Sequence, residues 1–431
     1  MLNWAADFAV LSYLDSNQLR QNGTQHIECL LAVGVESQLC FTAEGKHKSD
    51  PFQQLRDFYE RDPDWLFGYL TYDLKNSIEQ LSSRNFDGLG FPEMHFFRPI
   101  YVFKLTAQSV HIYSKAQAPA VLFEQIIQSK TPKASETNLG GKIQLKARIT
   151  EAEYLKTIET IQGHLHRGDL YELNFCQEFF ADHCTIDPLE LFRRLNRLSQ
   201  APFSAYYRLN NRYLLCASPE RFLQKKGQQI ISQPIKGTIK RGQTPRDDQQ
   251  LKQTLLHSQK DRSENVMIVD LVRNDLAKSC IAGSIKVEEL FGIYTFEQVH
   301  QMISTISGTL RPEVHFIDAI RNAFPMGSMT GAPKVRSMQL IEQYEKTKRG
   351  LYSGAIGYID PHGDFDFNVV IRSIMYHAHR QYLSFQVGGA IVYDSIPEKE
   401  YEECLLKAKG ILTAMDQLIE PLSVEQKRQE A

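Results

Sequence analysis

The 431-residue chain has no surplus of basic residues: 49 Lys and Arg face 51 Asp and Glu, a formal net charge of −2. That balance argues against a general nucleic-acid or polyanion binder, which neutralises phosphates with excess Lys and Arg. A small anionic ligand remains compatible with it, because such a ligand needs only a few placed cations. There is no cysteine framework either. The seven cysteines, Cys29, Cys40, Cys176, Cys184, Cys216, Cys280 and Cys404, are odd in number and include no C-x-x-C pair. Neither a disulfide scaffold nor a structural zinc site is expected. No apolar run reaches the length that crosses a bilayer. The N-terminus lacks the basic flank of a secretion signal, and Asp7 and Asp15 interrupt it. These absences predict a cytoplasmic protein with reduced thiols and no membrane partner. What is there is an ordinary globular composition, 42% apolar and 23% charged. The length suits two or three domain-sized units or one interwoven unit.

Residues 1–128 hold aromatic, alternating runs such as Trp65–Tyr72 and Ile100–Phe103, which read as strands. Residues 129–146 are polar with a Gly-Gly pair and read as a linker. Residues 147–421 form the expected catalytic unit, and 422–431 a polar tail. The unit opens on a helix. Thr150 and Glu153 make a capping box, Tyr154, Ile158, Ile161 and Leu165 recur at helical spacing, and Gly168 stops it. Next, Tyr171, Leu173 and Phe175 share one strand face, while Glu172, Asn174 and Cys176 share the other. Further strands follow one another without regular alternation with helices. The fold class is therefore α+β, with large, mostly antiparallel sheets packed together and helices outside.

Two helices carry acid pairs three residues apart, Asp261 with Glu264 and Glu400 with Glu403, so each pair shares a helix face. The second helix follows Ser395-x-x-Glu398, a capping-box pattern. Apolar neighbours around both pairs predict partial burial and a compensating hard cation, with magnesium the natural choice. Gly327–Lys334 is a glycine-rich turn feeding a helix, either an anion-binding N-terminus or a plain cap. Lys236, between Ile235 and Gly237, is a candidate nucleophile. Poor solvation there is expected to lower its pKa and free the neutral amine. Val387–Val392 reads as a strand broken by a close backbone approach at Gly388 and Gly389. His300, on an alternating strand, is open between a core histidine, a substrate donor and an acid–base group.

Taken in order, Ala217-Ser-Pro-Glu-Arg-Phe222, Pro234-Ile-Lys-Gly-Thr-Ile-Lys-Arg-Gly242, Ser263–Asp275, Gly331-Ala-Pro-Lys334, Arg349–Tyr358 and Val387–Ser395 resemble the chorismate-utilising enzymes. That family includes anthranilate, aminodeoxychorismate, isochorismate and salicylate synthases. The likeness covers nearly all of residues 150–415 and, more loosely, Leu66–Tyr69 and Leu14–Ser16. It implies that Glu264, Glu400 and Glu403 hold magnesium, with Asp261 second in its pair. It implies that Arg372 and Tyr352, with backbone N–H groups at Gly388 and Gly389, grip the enolpyruvyl carboxylate, as suits a fixed guanidinium fork. Ser328 would lie by the substrate, Lys407 by the acids, and His300 in the active site. Glu220 would be the general acid for the departing 4-hydroxyl, which requires a raised pKa.

Within the family, Lys236 resembles the branch that makes 4-amino-4-deoxychorismate; anthranilate synthases usually carry Ala there. Glu172 departs from the family's usual Gln and from the water-activating Lys of isochorismate synthases. It speaks against that branch, yet a carboxylate there is itself a base. The rivals are thus an anthranilate synthase, an isochorismate synthase and an inactive ligand sensor. No glutaminase or pyridoxal-phosphate lyase motif is present, so ammonia is expected from a separate glutamine amidotransferase subunit.

Overall fold

The computed structural model describes residues 1–17, 29–42, 50–79, 81–129, 141–297, 299–416 and 418–419. Most of the expected linker and all of the expected tail lie outside them. Every ladder between the named strands is antiparallel, and the ladders join into one sheet. The path starts at Glu172–Ala181 and passes through Tyr382–Ile391, Ser373–His377, Arg212–Ser218 and Phe203–Leu209. It continues through Val10–Asp15, Cys29–Phe41, Met94–Leu105 and Leu66–Leu70. It then runs through Ala355–Ile359, Phe365–Val369, Arg221–Lys226 and Gln229–Gln233 to Val299–Thr309. Ile235–Lys240 and Lys286–Thr295 pair with that last strand. Strands from residues 1–128 and from 147–421 therefore interleave: Val10–Asp15 lies against Phe203–Leu209, and Leu66–Leu70 against Ala355–Ile359. With eleven α-helices among the described residues, the class is α+β. No helix among them is long and apolar enough to cross a membrane.

Local signals explain the elements. The capping box forms: Thr150 Oγ1 accepts from Glu153 N–H at 3.2 Å, and Glu153 Oε2 accepts from Thr150 N–H at 2.8 Å. Gly168, with φ of +77°, follows the end of that helix, Glu151–His166. Alternation then sorts the first strand. Leu173 and Phe175 enter one apolar core with helices Glu151–His166, Pro188–Ser199 and Pro397–Ala414. Cys176 and Phe180 enter a second core with helices Pro51–Arg61, Gln259–Ala277 and Phe316–Ala323.

Two expectations fail locally. Ser395 does not cap its helix: Ile396 is the N-cap and Pro397 occupies the first turn. The Ser395 hydroxyl instead donates to Glu400 Oε1 at 2.8 Å. The strand at Val387–Val392 is not broken but runs from Tyr382 to Ile391. The close approach is real, since a side chain on Gly388 would run into the Phe175 carbonyl and Cys176 Sγ.

One buried ion pair ties these parts together. Arg349, 2% exposed, donates to both Glu345 oxygens at 2.9 and 2.7 Å. It also donates to the carbonyls of Met329 at 2.6 Å and Asn174 at 2.7 Å. Its guanidinium lies 4.6 Å from the centre of the Tyr72 ring. One side chain thus anchors the first strand, the turn Gly327–Met329 and the end of the helix Lys334–Tyr344. Removing one partner of such a pair strands the other charge. Arg349→Met should therefore lower unfolding free energy by about 3–5 kcal/mol. Chemical denaturation checks this; a loss under about 1 kcal/mol, the size of a surface pair, would contradict the anchoring role.

Candidate active site

The sheet folds back so that its two ends meet. Lys236, on the strand Ile235–Lys240, places Nζ 2.5 Å from Oε1 of Glu172, on the first strand of the path. Both side chains are buried. Each end also carries an acid-bearing helix. Gln259–Ala277 packs on the strands of the Lys236 end, and Pro397–Ala414 on Tyr382–Ile391 beside Glu172's strand. Lys260 bridges these helices, with Nζ 3.4 Å from Glu400 Oε1 and 3.9 Å from Glu264 Oε1. Lys407 binds Glu403 at 2.7 Å and the Gly388 carbonyl at 2.9 Å.

Gly237 shows why glycine follows the lysine. Its φ is +91°, and an added Cβ would sit 3.0 Å from Asp261 Oδ1. Asp261 lies in the first turn of its helix, where its N–H meets the capping Ser258 hydroxyl at 3.3 Å. Gly389 leaves room on the other side: its missing Cβ would be 3.5 Å from Glu400 Oε2 and 3.7 Å from Glu403 Oε1.

The ionisation of Lys236 corrects the expectation of a lowered pKa. Burial pulls it down, but Glu172, Glu264 and Glu220 together outweigh burial and raise it. The free site thus holds an ammonium. Glu220 behaves as required of an acid. Burial lifts its carboxyl to about 7 against the opposing Ser328 hydroxyl, Lys236 charge and Ile235 N–H. Burial also lifts Glu264 to about 7, whereas Lys407 holds Glu403 low.

Arg372 is half-buried with φ of +53°. Its Nη1 donates to the Lys407 carbonyl at 2.9 Å, and among the described residues no carboxylate pairs with it. An open cavity is lined by Arg372, Lys407, Ala217, Pro219, Phe296, Val299 and Gln301, among others. Tyr352 stands over Cys176, hydroxyl to sulfur 3.5 Å. Ser328 is held through its carbonyl by Asn174 Nδ2 at 2.9 Å, and its hydroxyl faces the Glu220 carboxyl.

Lys236, Glu172, Glu220, Ser328, Glu264, Glu400, Glu403 and Lys407 are therefore neighbours in space. His300 is not among them. Its ring is fully buried, with Nε2 2.8 Å from Asp248 Oδ1 and Nδ1 3.1 Å from Thr295 Oγ1. It is a core histidine, and its sequence neighbour Gln301 lines the cavity instead. Lys260 and Gln301 were missed by sequence reasoning. The signals were present: Lys260 lies one helical turn before Glu264, and Gln301 has the opposite strand phase to His300.

Whether magnesium suits the site turns on unpaired oxygens. Glu172 Oε2, Glu264 Oε1 and Glu400 Oε2 are buried without a hydrogen-bond partner, a costly state that a hard cation relieves. The donors fit. They are not gathered into a cage: no group of three or more His, Cys, Asp or Glu side chains among the described residues is placed to hold a metal.

The chain belongs to the chorismate binding enzyme family, whose sequence profile matches residues 12–413. The chain is 38% identical over 364 residues to aminodeoxychorismate synthase component 1 of Salmonella typhimurium, covering 82% of this chain and 78% of that protein. It is 31% identical over 396 residues to anthranilate synthase component 1 of Thermus thermophilus, covering 87% and 85%. The crystal structure of anthranilate synthase component I from Streptococcus pneumoniae superposes with a TM-score of 0.78 at 26% identity, covering 91% of this chain and 95% of that one.

Glu220 offers a test by stability. A carboxyl raised from 4.5 to about 7 favours the folded state at low pH. That contribution is full below 4.5, falls as pH rises toward 7, and is gone above it. Glu220→Gln, which mimics the protonated form, should remove this dependence, on the order of 3 kcal/mol. Denaturation at pH 5 and pH 8 measures it; parallel behaviour of the two proteins would place Glu220 at an ordinary pKa.

Proposed function

We propose that this chain replaces the 4-hydroxyl of chorismate with an amino group, giving 4-amino-4-deoxychorismate for p-aminobenzoate and folate synthesis. The ammonia would come from glutamine through a separate glutaminase subunit, in the cytoplasm. The observation that carries this reading is the buried Lys236 amine, held by Glu172 and flanked by the acid Glu220. Identity to several proteins named aminodeoxychorismate synthase component 1 supports it.

Lys236 begins as an ammonium, so it must first lose a proton, and Glu172 at 2.5 Å is the acceptor. The neutral amine adds at C2 of the ring. The double bonds shift, the C4–O bond breaks, and Glu220 gives its proton to the hydroxyl, which leaves as water. Ammonia adds at C4 and returns a proton to Glu220. The double bonds shift back, the lysine leaves C2, and Glu172 hands back its proton. Because Lys236 occupies C2, ammonia is confined to C4. Arg372, whose guanidinium is bonded to the Lys407 carbonyl and to no carboxylate among the described residues, would take the enolpyruvyl carboxylate, aided by Tyr352, Ser328 and the backbone of Gly388 and Gly389. Glu264, Glu400 and Glu403, with Asp261 and Lys407 beside them, would hold magnesium. Bound there, magnesium would offset the surplus carboxylate charge and take the ring carboxylate of the substrate.

The test is product identification with the purified chain, chorismate, magnesium and ammonia. The expected product is the 4-amino isomer, with no turnover in excess chelator and none from glutamine alone. The 2-amino isomer would mark an anthranilate synthase, a hydroxylated isomer an isochorismate synthase, and undiminished turnover in chelator would remove the metal.

A further inference from the structure

Gln301 lies on the strand Val299–Thr309, directly opposite Thr238, two residues beyond Lys236 on the neighbouring strand. It is 4% exposed and lines the cavity that also holds Arg372, Lys407 and Pro219, the neighbour of Glu220. Its Oε1 is buried and has no hydrogen-bond partner. A buried acceptor left unpaired is destabilising, and natural structures keep few of them. The terminal amide torsion is soft, so a small rotation can bring this oxygen to a donor in the cavity. A carboxylate substrate offers acceptors almost everywhere. On the reading above, chorismate with both carboxylates ionised carries a single hydrogen-bond donor, the 4-hydroxyl. That hydroxyl must accept a proton from Glu220 as it leaves, and its own hydrogen then needs an acceptor.

We propose that Gln301 is a substrate-positioning residue that accepts a hydrogen bond from the 4-hydroxyl and so turns the oxygen lone pair toward Glu220. The inference rests on the proposed function. The same chemistry, a donor at C4, is also offered by incoming ammonia, and the experiment separates the two. Gln301→Met keeps the volume and removes the acceptor. Chorismate binding without ammonia, binding of a 4-deoxy analogue, the KM for ammonia and thermal stability are compared with wild type.

The variant should bind chorismate about 2- to 10-fold more weakly, the range of one neutral hydrogen bond. It should bind the 4-deoxy analogue as wild type does. It should melt no lower, because an unpaired buried acceptor is gone; a merely structural glutamine would lower melting and leave the chorismate-to-analogue ratio unchanged. Equal chorismate binding by variant and wild type overturns the proposal. So does an equal loss for the analogue, or a change confined to the KM for ammonia. A wild-type chain that does not bind chorismate overturns the proposed function itself, and the Gln301 assignment with it.

Discussion

The Lys236–Glu172 pair joins the two ends of one continuous sheet, and the site exists because those ends meet. Between the two residues the hydrogen-bonded path passes through more than a dozen strands, including four drawn from residues 1–128. No local element brings a lysine at one end to a glutamate at the other; only the whole folded sheet does. A contact of this kind is slow to assemble, because all of the long-range pairing must precede it. It also makes the site a reporter of global folding, since any error along the path separates amine from carboxylate.

The cost of the arrangement is charge. Glu172, Glu220, Glu264, Glu400 and Glu403 gather around Lys236, Lys260 and Lys407, so carboxylates outnumber ammonium groups. Burial resists this surplus and lifts Glu220 and Glu264 to about 7. On the proposed function, the same imbalance serves the chemistry. It keeps one carboxyl able to donate a proton near neutrality, leaves oxygens that call for a cation, and places a base against the amine. Arg372 shows the opposite state, a half-buried cation with no carboxylate paired to it among the described residues, which on the proposed function suits a substrate carboxylate. Stability is thus held elsewhere, in the apolar cores and the Arg349–Glu345 anchor.

Much of this was legible in the sequence where the physics is local. Thr150 and Glu153 cap as their spacing requires, and Glu172 and Leu173 take opposite faces. Glu264 and Glu400 do approach one Lys260 amine from two helices, though the acids form no cage for a metal among the described residues. What failed depended on tertiary neighbours. Ser395 has the spacing of a cap, yet Glu400 recruits its hydroxyl. Lys236 is poorly solvated as expected, but the acids around it come from strands and helices distant in sequence, and they reverse the sign of its shift. Alternation says that His300 and Gln301 face opposite ways; it does not say which way the site lies.

The central claim is that Lys236 is a nucleophile activated by its Glu172 partner, and trapping tests it most directly. Wild-type chain is mixed with chorismate in the absence of ammonia, and intact mass and peptide mapping follow. The account predicts a mass gain equal to chorismate less one water, located on Lys236. Full conversion of chorismate when ammonia is present, with Lys236 unmodified when it is absent, would contradict it.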